Sequence, residues 1–529
     1  QWATSYRVMG DPFPGRWSFK HHPWLEQMHD DDSEIIVGQK AAQMGFTELG
    51  LNKTFFAIDV KGQSVLYVLP ANTPDAGDFS TSRFDPALEL STHLQHLFSN
   101  VKNIGHKRAG NSNLFIRGSR SRSQLKSIPT ALIILDEVDE MNQANVPLAF
   151  ERSSGQTSKQ VLMISTPTIA RHGIHLYFES STKHQYVFRC PHCSRYTELI
   201  FPECLVITSD SFETKEIKKS HLQCKECLHP LDHATKTEWL AAPNAKWIPT
   251  YTNRLQTGYH VNQLYSTVLQ PYEIAIKYLQ GQVNPADEQE LYNSKLGLVH
   301  EAEGSRVTDA NLHDCLGSHL KVDNYTGHNL ITLGIDVGKW LHYEILEWFV
   351  GDLSSRTTND VSLLATSRLL TEDKCLNFED LDHLISDFSV RFAVIDANPE
   401  RRKALEFAQR FYGQTRLCFY GTGITGKAVH LHDAAEHTMT VDRTSWMDVS
   451  LGRFRAKKIV LPKDLSSEYK SHIKAPVRIY EKDALGNPVG KYIKADKDDD
   501  HFAHAHTYAE IALLLGMSLA SNQDMERIV

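Results

Sequence analysis

Short runs of consecutive apolar residues, each ending in polar or acidic residues, recur along this chain. Ala131–Leu135, SVLYVLP from Ser64 to Pro70 and QVLMISTP from Gln160 to Pro167 predict strands buried on both faces, as in a parallel sheet covered by helices. EIIVGQKAAQMGFTELG, from Glu34 to Gly50, reads as a strand, a turn and the start of a helix. Further on, LITLGIDVGKWLHYEILEWFV predicts a strand ending at Asp336 and an alternating strand after it. RFAVIDANPE predicts a second buried strand, ending at Asp396. DKDDDHFAHAHTYAEIALLLG begins acidic and continues as an amphipathic helix. Between these groups, Glu301 to Asn329 is polar and Gly-rich, which predicts a linker. The pattern is that of an α/β chain with two domains, residues 1–320 and 321–529.

A buried parallel strand delivers its last residues to the carboxyl edge of the sheet, where α/β folds bind ligands. Asp136 and Glu137 stand there, in LDEVDE. Asp136 is expected to hold Mg²⁺ through water and Glu137 to polarise an attacking water. Taken alone, the pair also suits an ordinary helix start, where the dipole favours acids. The stretch upstream favours a nucleotide. A P-loop has Gly, four residues, then Gly-Lys-Ser/Thr. Gly45 and Thr47 fit its second half, but Phe46 occupies the lysine position and Lys40 the first glycine position. Such a loop works if Lys40 reaches the phosphates from the other end while backbone N–H groups cradle them and Thr47 coordinates Mg²⁺. With the acids following in the right order, this reads as an ATPase. Ser165, Thr166 and Pro167 follow another buried strand, a place where motor ATPases carry a polar triplet beside the γ-phosphate; a plain strand-ending turn also accounts for them.

Composition narrows the picture. The chain has 529 residues and a net charge of −8, so any nucleic-acid contact must be local. Leu90 to Leu135 contains no acid and carries Lys102, Lys107, Arg108, Arg117, Arg120, Arg122 and Lys126, a candidate basic surface. No apolar stretch reaches the roughly 18 residues of a membrane span. No signal peptide is evident, although the chain opens on Gln1. Of eight cysteines, four are paired, in CPHC (Cys190, Cys193) and CKEC (Cys224, Cys227). Two such knuckles give four sulfurs for a closed structural Zn²⁺. The expected zinc ribbon spans about 186–235, with His192 and His221 as competing ligands.

In the last third, two strand-end aspartates plus groups from a late helix are the parts of an RNase H-like nuclease. Hard carboxylates suit Mg²⁺ or Mn²⁺, and two ions about 3.5–4 Å apart would activate water and stabilise the leaving oxygen. Asp336 and Asp396 are the first ligands, and catalytic together with Glu137. The third is left open among Asp500, His501 and His504, which share a helix face in pairs. Arg453, Arg455, Lys457, Lys458, Lys470, Lys474 and Arg478 are candidates for a DNA backbone track, or form a solvated charged face.

KAAQMGFTE, LDEVDE, STPT, CPHCSRYTELIF, GYHVNQLYS and GIDVG occur in that order, and with them the chain resembles the large terminase subunit of tailed bacteriophages, in the lambda-like branch with an inserted zinc ribbon. The resemblance implies a P-loop ATPase domain with that insertion, followed by an RNase H-like nuclease domain. It implies a motor that hydrolyses ATP to drive double-stranded DNA into a procapsid and cuts concatemeric DNA. It further implies a small terminase subunit, the portal protein and a pentameric ring as partners, and a place in the host cytoplasm rather than the mature virion. Lys40, Gly45, Thr47, Asp136 and Thr166 would bind ATP, with Ser165 and Thr166 coupling hydrolysis to movement. Tyr6 and Trp17 lie where such enzymes stack the adenine. An arginine from a neighbouring subunit would complete the site, with Arg152, Arg120 and Arg122 as candidates. Relatives show an Asp where this chain has His504. Imidazole ligates Mn²⁺ better than Mg²⁺, so cleavage favoured by Mn²⁺ is expected. Other readings are a helicase-nuclease of DNA repair or phage defence, and a non-catalytic zinc-bearing DNA-binding scaffold.

Overall fold

In the computed structural model, strands β1 (Ile35–Lys40), β2 (Val65–Leu69), β3 (Ser112–Gly118), β4 (Leu132–Asp136), β5 (Gln160–Ser165), β6 (His184–Arg189) and β7 (Thr257–Val261) form one sheet. The structure describes residues 1–98, 101–126, 128–350, 364–421, 424, 426–432, 437–483 and 485–518. These seven lie in the order β6-β7-β1-β5-β4-β2-β3, all parallel, and antiparallel strands extend the sheet at both ends. Every residue of β4 and β2 is buried, which is why these segments read as unbroken apolar runs. Because β1, β5 and β4 are adjacent and parallel, Lys40, Ser165 and Asp136 emerge at one edge. Helix α1 (Phe46–Asp59) leaves that edge from Gly45, whose φ of 81° is left-handed. This sheet belongs to a first compact unit, Gln1–His300 with Glu481–Pro488. A small three-stranded sheet, Leu205–Val206, His221–Gln223 and Pro230–Leu231, lies in the inserted cysteine segment.

The second unit comprises the rest of the described chain. Its sheet contains β8 (Leu330–Val337), β9 (Leu341–Phe349), β10 (Thr366–Cys375), β11 (Phe392–Asp396) and β12 (Thr415–Tyr420). β8, β9 and β10 are antiparallel neighbours, while β8, β11 and β12 run parallel. Ile335 pairs with Ile395, so Asp336 and Asp396 leave the sheet side by side. Two helices complete the part that matters here, α2 (Ser467–Lys474) and α3 (His501–Ser518).

Three expectations are corrected. The stretch from Glu301 to Asn329 is not a free linker. Thr308 caps a short helix, Asp309–Asp314, and Val307, Leu312 and Cys315 are buried in the second unit's core. A helix of one and a half turns is too short to show periodicity in sequence. Helix α3 is not amphipathic but buried on nearly all sides. Its polar residues face buried partners: His506 meets Glu344, Glu510 meets Arg453, and Thr507 lies 2.8 Å from Ser450. Arg453 is therefore an internal ion-pair partner rather than part of a DNA track.

The sheet and α3 touch at Gly334. A methyl group there would come within 1.9 Å of the Ala505 carbonyl, and Thr332 donates to the Ala509 carbonyl at 2.9 Å. Close backbone approach therefore requires glycine in GIDVG. Gly334→Ala is expected to destabilise the second unit by roughly 1–3 kcal/mol or more, read as a lower thermal midpoint; an unchanged midpoint would refute the contact.

Candidate functional site

At the edge of the first sheet, Glu137 follows β4 with φ 64° and ψ 58°, a left-handed conformation that costs a non-glycine residue roughly 1–2 kcal/mol. Its N–H is held by the Ile164 carbonyl at 2.8 Å. This turn aims the carboxylate back at β1, where Lys40 Nζ donates to Glu137 Oε1 at 2.8 Å. The Ser165 hydroxyl donates to the Thr166 carbonyl at 3.0 Å and stands 3.4 Å from Glu137 Oε2.

Asp136 is buried. Tyr67 donates to its Oδ2 at 2.6 Å, and Oδ1 has no hydrogen-bond partner. Burial pushes the Asp136 carboxyl up to about 6, and Glu137 adds to the push; Lys40 and the Tyr67 and Thr47 hydroxyls pull it back. A cation would offset the same burial, and the bare oxygen is placed to reach one through water. The residues thus fit a Mg²⁺-nucleotide. A cavity of about 520 Å³ opens here, lined by Thr47, Pro70, Arg83, Arg120, Asp136 and Glu137 among others. A larger cleft of about 830 Å³, at Lys53 and Gln160, opens at the amino-terminal ends of the strands, away from these groups.

Phe46 is 1 % exposed, and its ring packs on Gly38, where a Cβ would come within 2.7 Å. The position of the usual lysine is thus a core position here, while Lys40, at the end of the strand, sets its ammonium against Glu137. Of the arginine candidates, Arg120 lines the cavity; Arg122 and Arg152 do not, and Arg83, not singled out in the sequence, does. Tyr6 stacks on His93 with ring centres 4.1 Å apart, and Trp17 packs edge-on against Phe19; neither lines the cavity. In the acid-free stretch, Lys107 is buried against Asp85 at 2.8 Å, so it belongs to the core. The Lys102 side chain lies outside the described residues. Arg108, Arg122 and Lys126 are exposed.

Cys190, Cys193, Cys224 and Cys227 bring their sulfurs within 4.8 Å of one another. The two knuckles match: Ser194 N–H bonds the Cys190 carbonyl and Leu228 N–H the Cys224 carbonyl, with Ser194 and Leu228 both at φ 60°. Burial pushes the Cys224 thiol up to about 12, and a bound cation would reverse that. His192 and His221 bond backbone carbonyls instead. The donor set fits a closed zinc site.

In the second unit, Asp336 Oδ2 lies 2.8 Å from His501 Nδ1. Asp336, His342 and His501 place ligand atoms within 4.8 Å of one another. Asp396 stands outside that set; burial, with Asp336 adding, pushes its carboxyl up to about 6, while His504 pulls it down. Asp500 is ringed by His504 at 3.2 Å, Lys494 at 3.3 Å and Arg443 at 3.9 Å. Despite burial, the hydrogen bond from His504 and the charges of Lys494 and Arg443 hold its carboxyl well below the usual range. His504 Nδ1 also lies 3.1 Å from the Tyr420 hydroxyl. Of the three candidates for a third ligand, His501 is thus the one brought onto Asp336. Two carboxylates with imidazole suit a divalent cation, Mn²⁺ more than Mg²⁺.

His342 was missed in the sequence, although its signal was present. A tight turn at Gly338–Trp340 makes Asp336 and His342 cross-strand partners. Glu468 and His472, at helical spacing on α2, had no such link to the site.

Phe46→Ala is expected to cost roughly 3–5 kcal/mol, measured as a loss of thermal stability; a variant as stable as the parent would show that the ring is not a core element.

The phage terminase large subunit gpA ATPase-domain model matches residues 12–247. No curated protein matches the chain significantly in sequence. Among solved structures, the HK97 bacteriophage large terminase is similar at 11% identity with a TM-score of 0.51, over 96% of this chain and 98% of that one. A large terminase from a thermophilic bacteriophage matches at 12% identity and a TM-score of 0.31, over 93% and 96%. The large terminase nuclease of thermophilic phage G20c matches at 13% and 0.25, over 39% and 97%. At such identity the HK97 likeness is one of fold. Residues 12–247 thus match the ATPase domain of the phage terminase large subunit gpA, and nearly the whole chain shares the fold of the HK97 large terminase.

Proposed function

We propose that the edge formed by Lys40, Thr47, Asp136 and Glu137 binds and hydrolyses ATP, and that the edge formed by Asp336 and Asp396 cuts the packaged DNA. The observation that carries the first assignment is the Lys40–Glu137 pair at 2.8 Å beside a buried aspartate with an unpartnered oxygen. Lys40 exchanges Glu137 for the phosphates when nucleotide binds, and the released carboxylate orients the attacking water. Gly45 and the N–H groups at the start of α1 cradle the phosphates. Thr47 and Asp136 would hold Mg²⁺, which neutralises phosphate charge. Ser165 and Thr166 sense the state of Glu137, since the Ser165 hydroxyl stands beside it. Arg120 and Arg83 add positive charge to the cavity.

Asp336, Asp396 and His501 would hold Mn²⁺ or Mg²⁺, supplying an activated water and a clamp on the leaving oxygen. Asp500 and His504, 3.2 Å apart, support the centre. The four cysteines hold a structural Zn²⁺. Residues 1–320 act as the motor, with the ribbon at about 186–235, and 321–529 as the nuclease. The assembled machine is a homo-oligomeric, pentameric ring on the portal protein of a procapsid in the host cytoplasm. A small terminase subunit delivers its double-stranded DNA.

Two measurements test this reading. Lys40→Ala and Glu137→Gln are each expected to lower DNA-stimulated ATP hydrolysis by roughly a hundredfold or more, while leaving plasmid cleavage in Mn²⁺ intact. Asp336→Ala should abolish cleavage and spare the ATPase. Retained hydrolysis in Glu137→Gln would sink the assignment of the water-orienting carboxylate.

A further inference from the structure

Beside the Asp336 edge, the second unit holds a group of side chains that the nuclease reading does not use. His342 on β9 and Glu468 and His472 on α2 bring ligand atoms within 4.8 Å of one another. The two imidazoles are 3 % and 5 % exposed, and Nδ1 of each is buried without a hydrogen-bond partner. His342 Nε2 faces Glu468 Oε1 at 3.4 Å. Glu468 and His472 lie four residues apart on α2, one face of a helix. Lys374 reaches the Glu468 carboxylate from β10, at 2.6 and 2.7 Å. Lys374 is the cross-strand partner of His342, so β9, β10 and α2 converge on the Glu468 carboxylate.

We infer that His342, Glu468 and His472 form a binding site for a zinc-type transition-metal ion, separate from the Asp336–Asp396 pair. Two imidazoles and one carboxylate make a borderline donor set that selects zinc over magnesium. Small side-chain rotations draw the donors to the about 2.0–2.2 Å that zinc requires. One Glu468 oxygen passes from Lys374 to the ion. Lys374 keeps the other and so orients the ligand, the part outer-shell groups play in metal sites. Three protein ligands leave a fourth position open on the side where Glu468 is 37 % exposed, which gives the ion its entry. His342 also stacks on His501 at 4.5 Å and 8°, so an ion here fixes the ring that touches Asp336.

The test is zinc titration of the full-length, metal-stripped protein against a chromophoric chelator. The parent should bind one ion beyond any held by the cysteines and by the Asp336–Asp396 edge. His472→Gln and Glu468→Gln should each weaken that additional ion at least about tenfold, with circular dichroism unchanged. Cys190→Ser and Asp336→Asn should retain it. With cobalt, the additional ion should give ligand-field bands without a thiolate charge-transfer band. An ion lost in Asp336→Asn but kept in His472→Gln would move the site to the Asp336–His501 group and overturn the proposal. So would a parent whose zinc is all lost in Cys190→Ser.

Discussion

A carboxylate in the middle of a strand buried on both faces needs a dedicated buried partner, as Glu344 has in His506, because nothing else there replaces its hydration. It can sit at the strand's last position, where the sheet ends and hydroxyls, amides or cations can reach it. Both units of this protein are arranged around that constraint. Asp136 ends β4 with Tyr67 on one oxygen and the other bare. Asp336 lies near the end of β8 with His501 against it. Burial pushes the Asp136 carboxyl up, and each acid has a cation, an imidazole or a site for an ion within reach. The chemistry of the two edges follows from that tension.

The displaced lysine illustrates how packing selects among equivalent solutions. A P-loop needs a cation near the phosphates, but nothing requires it to come from the helix side. Here the helix-side position is filled by Phe46, whose ring occupies the space that Gly38 leaves on β1. The ammonium at this edge is that of Lys40, the last residue of that strand. The left-handed turn at Glu137 then brings the carboxylate to it. Restoring a lysine at position 46 would bury a charge in the core, so the two changes belong together.

In the second unit, close contact between α3 and the sheet does comparable work. Gly334 lets the helix backbone lie against β8, and that contact sets His501 beside Asp336. The helix is held on its other sides by buried polar pairs, His506 with Glu344 and Glu510 with Arg453. Removing one partner of such a pair costs far more than the pair itself contributes. The helix carrying the candidate ligands is therefore positioned by apolar packing into two clusters together with these polar contacts, not by a single apolar stripe.

Much of this was legible in order along the chain. Unbroken apolar runs ending in acids determined the buried strands and placed Asp136, Asp336 and Asp396 at sheet edges, because burial on both faces leaves no other pattern. The two CxxC knuckles determined their own local geometry, because a tight turn and two sulfurs need only four residues. What the tertiary structure decided were the relations between distant segments. It put Arg453 and Lys107 in the core, drew the polar stretch after Glu301 onto the second unit, and turned the last helix inward on nearly all sides. It also brought His342, Glu468 and His472 together from a strand and a helix more than a hundred residues apart in the sequence. Local sequence encodes which faces are apolar; which polar groups meet depends on how those faces pack, and no single segment carries that information.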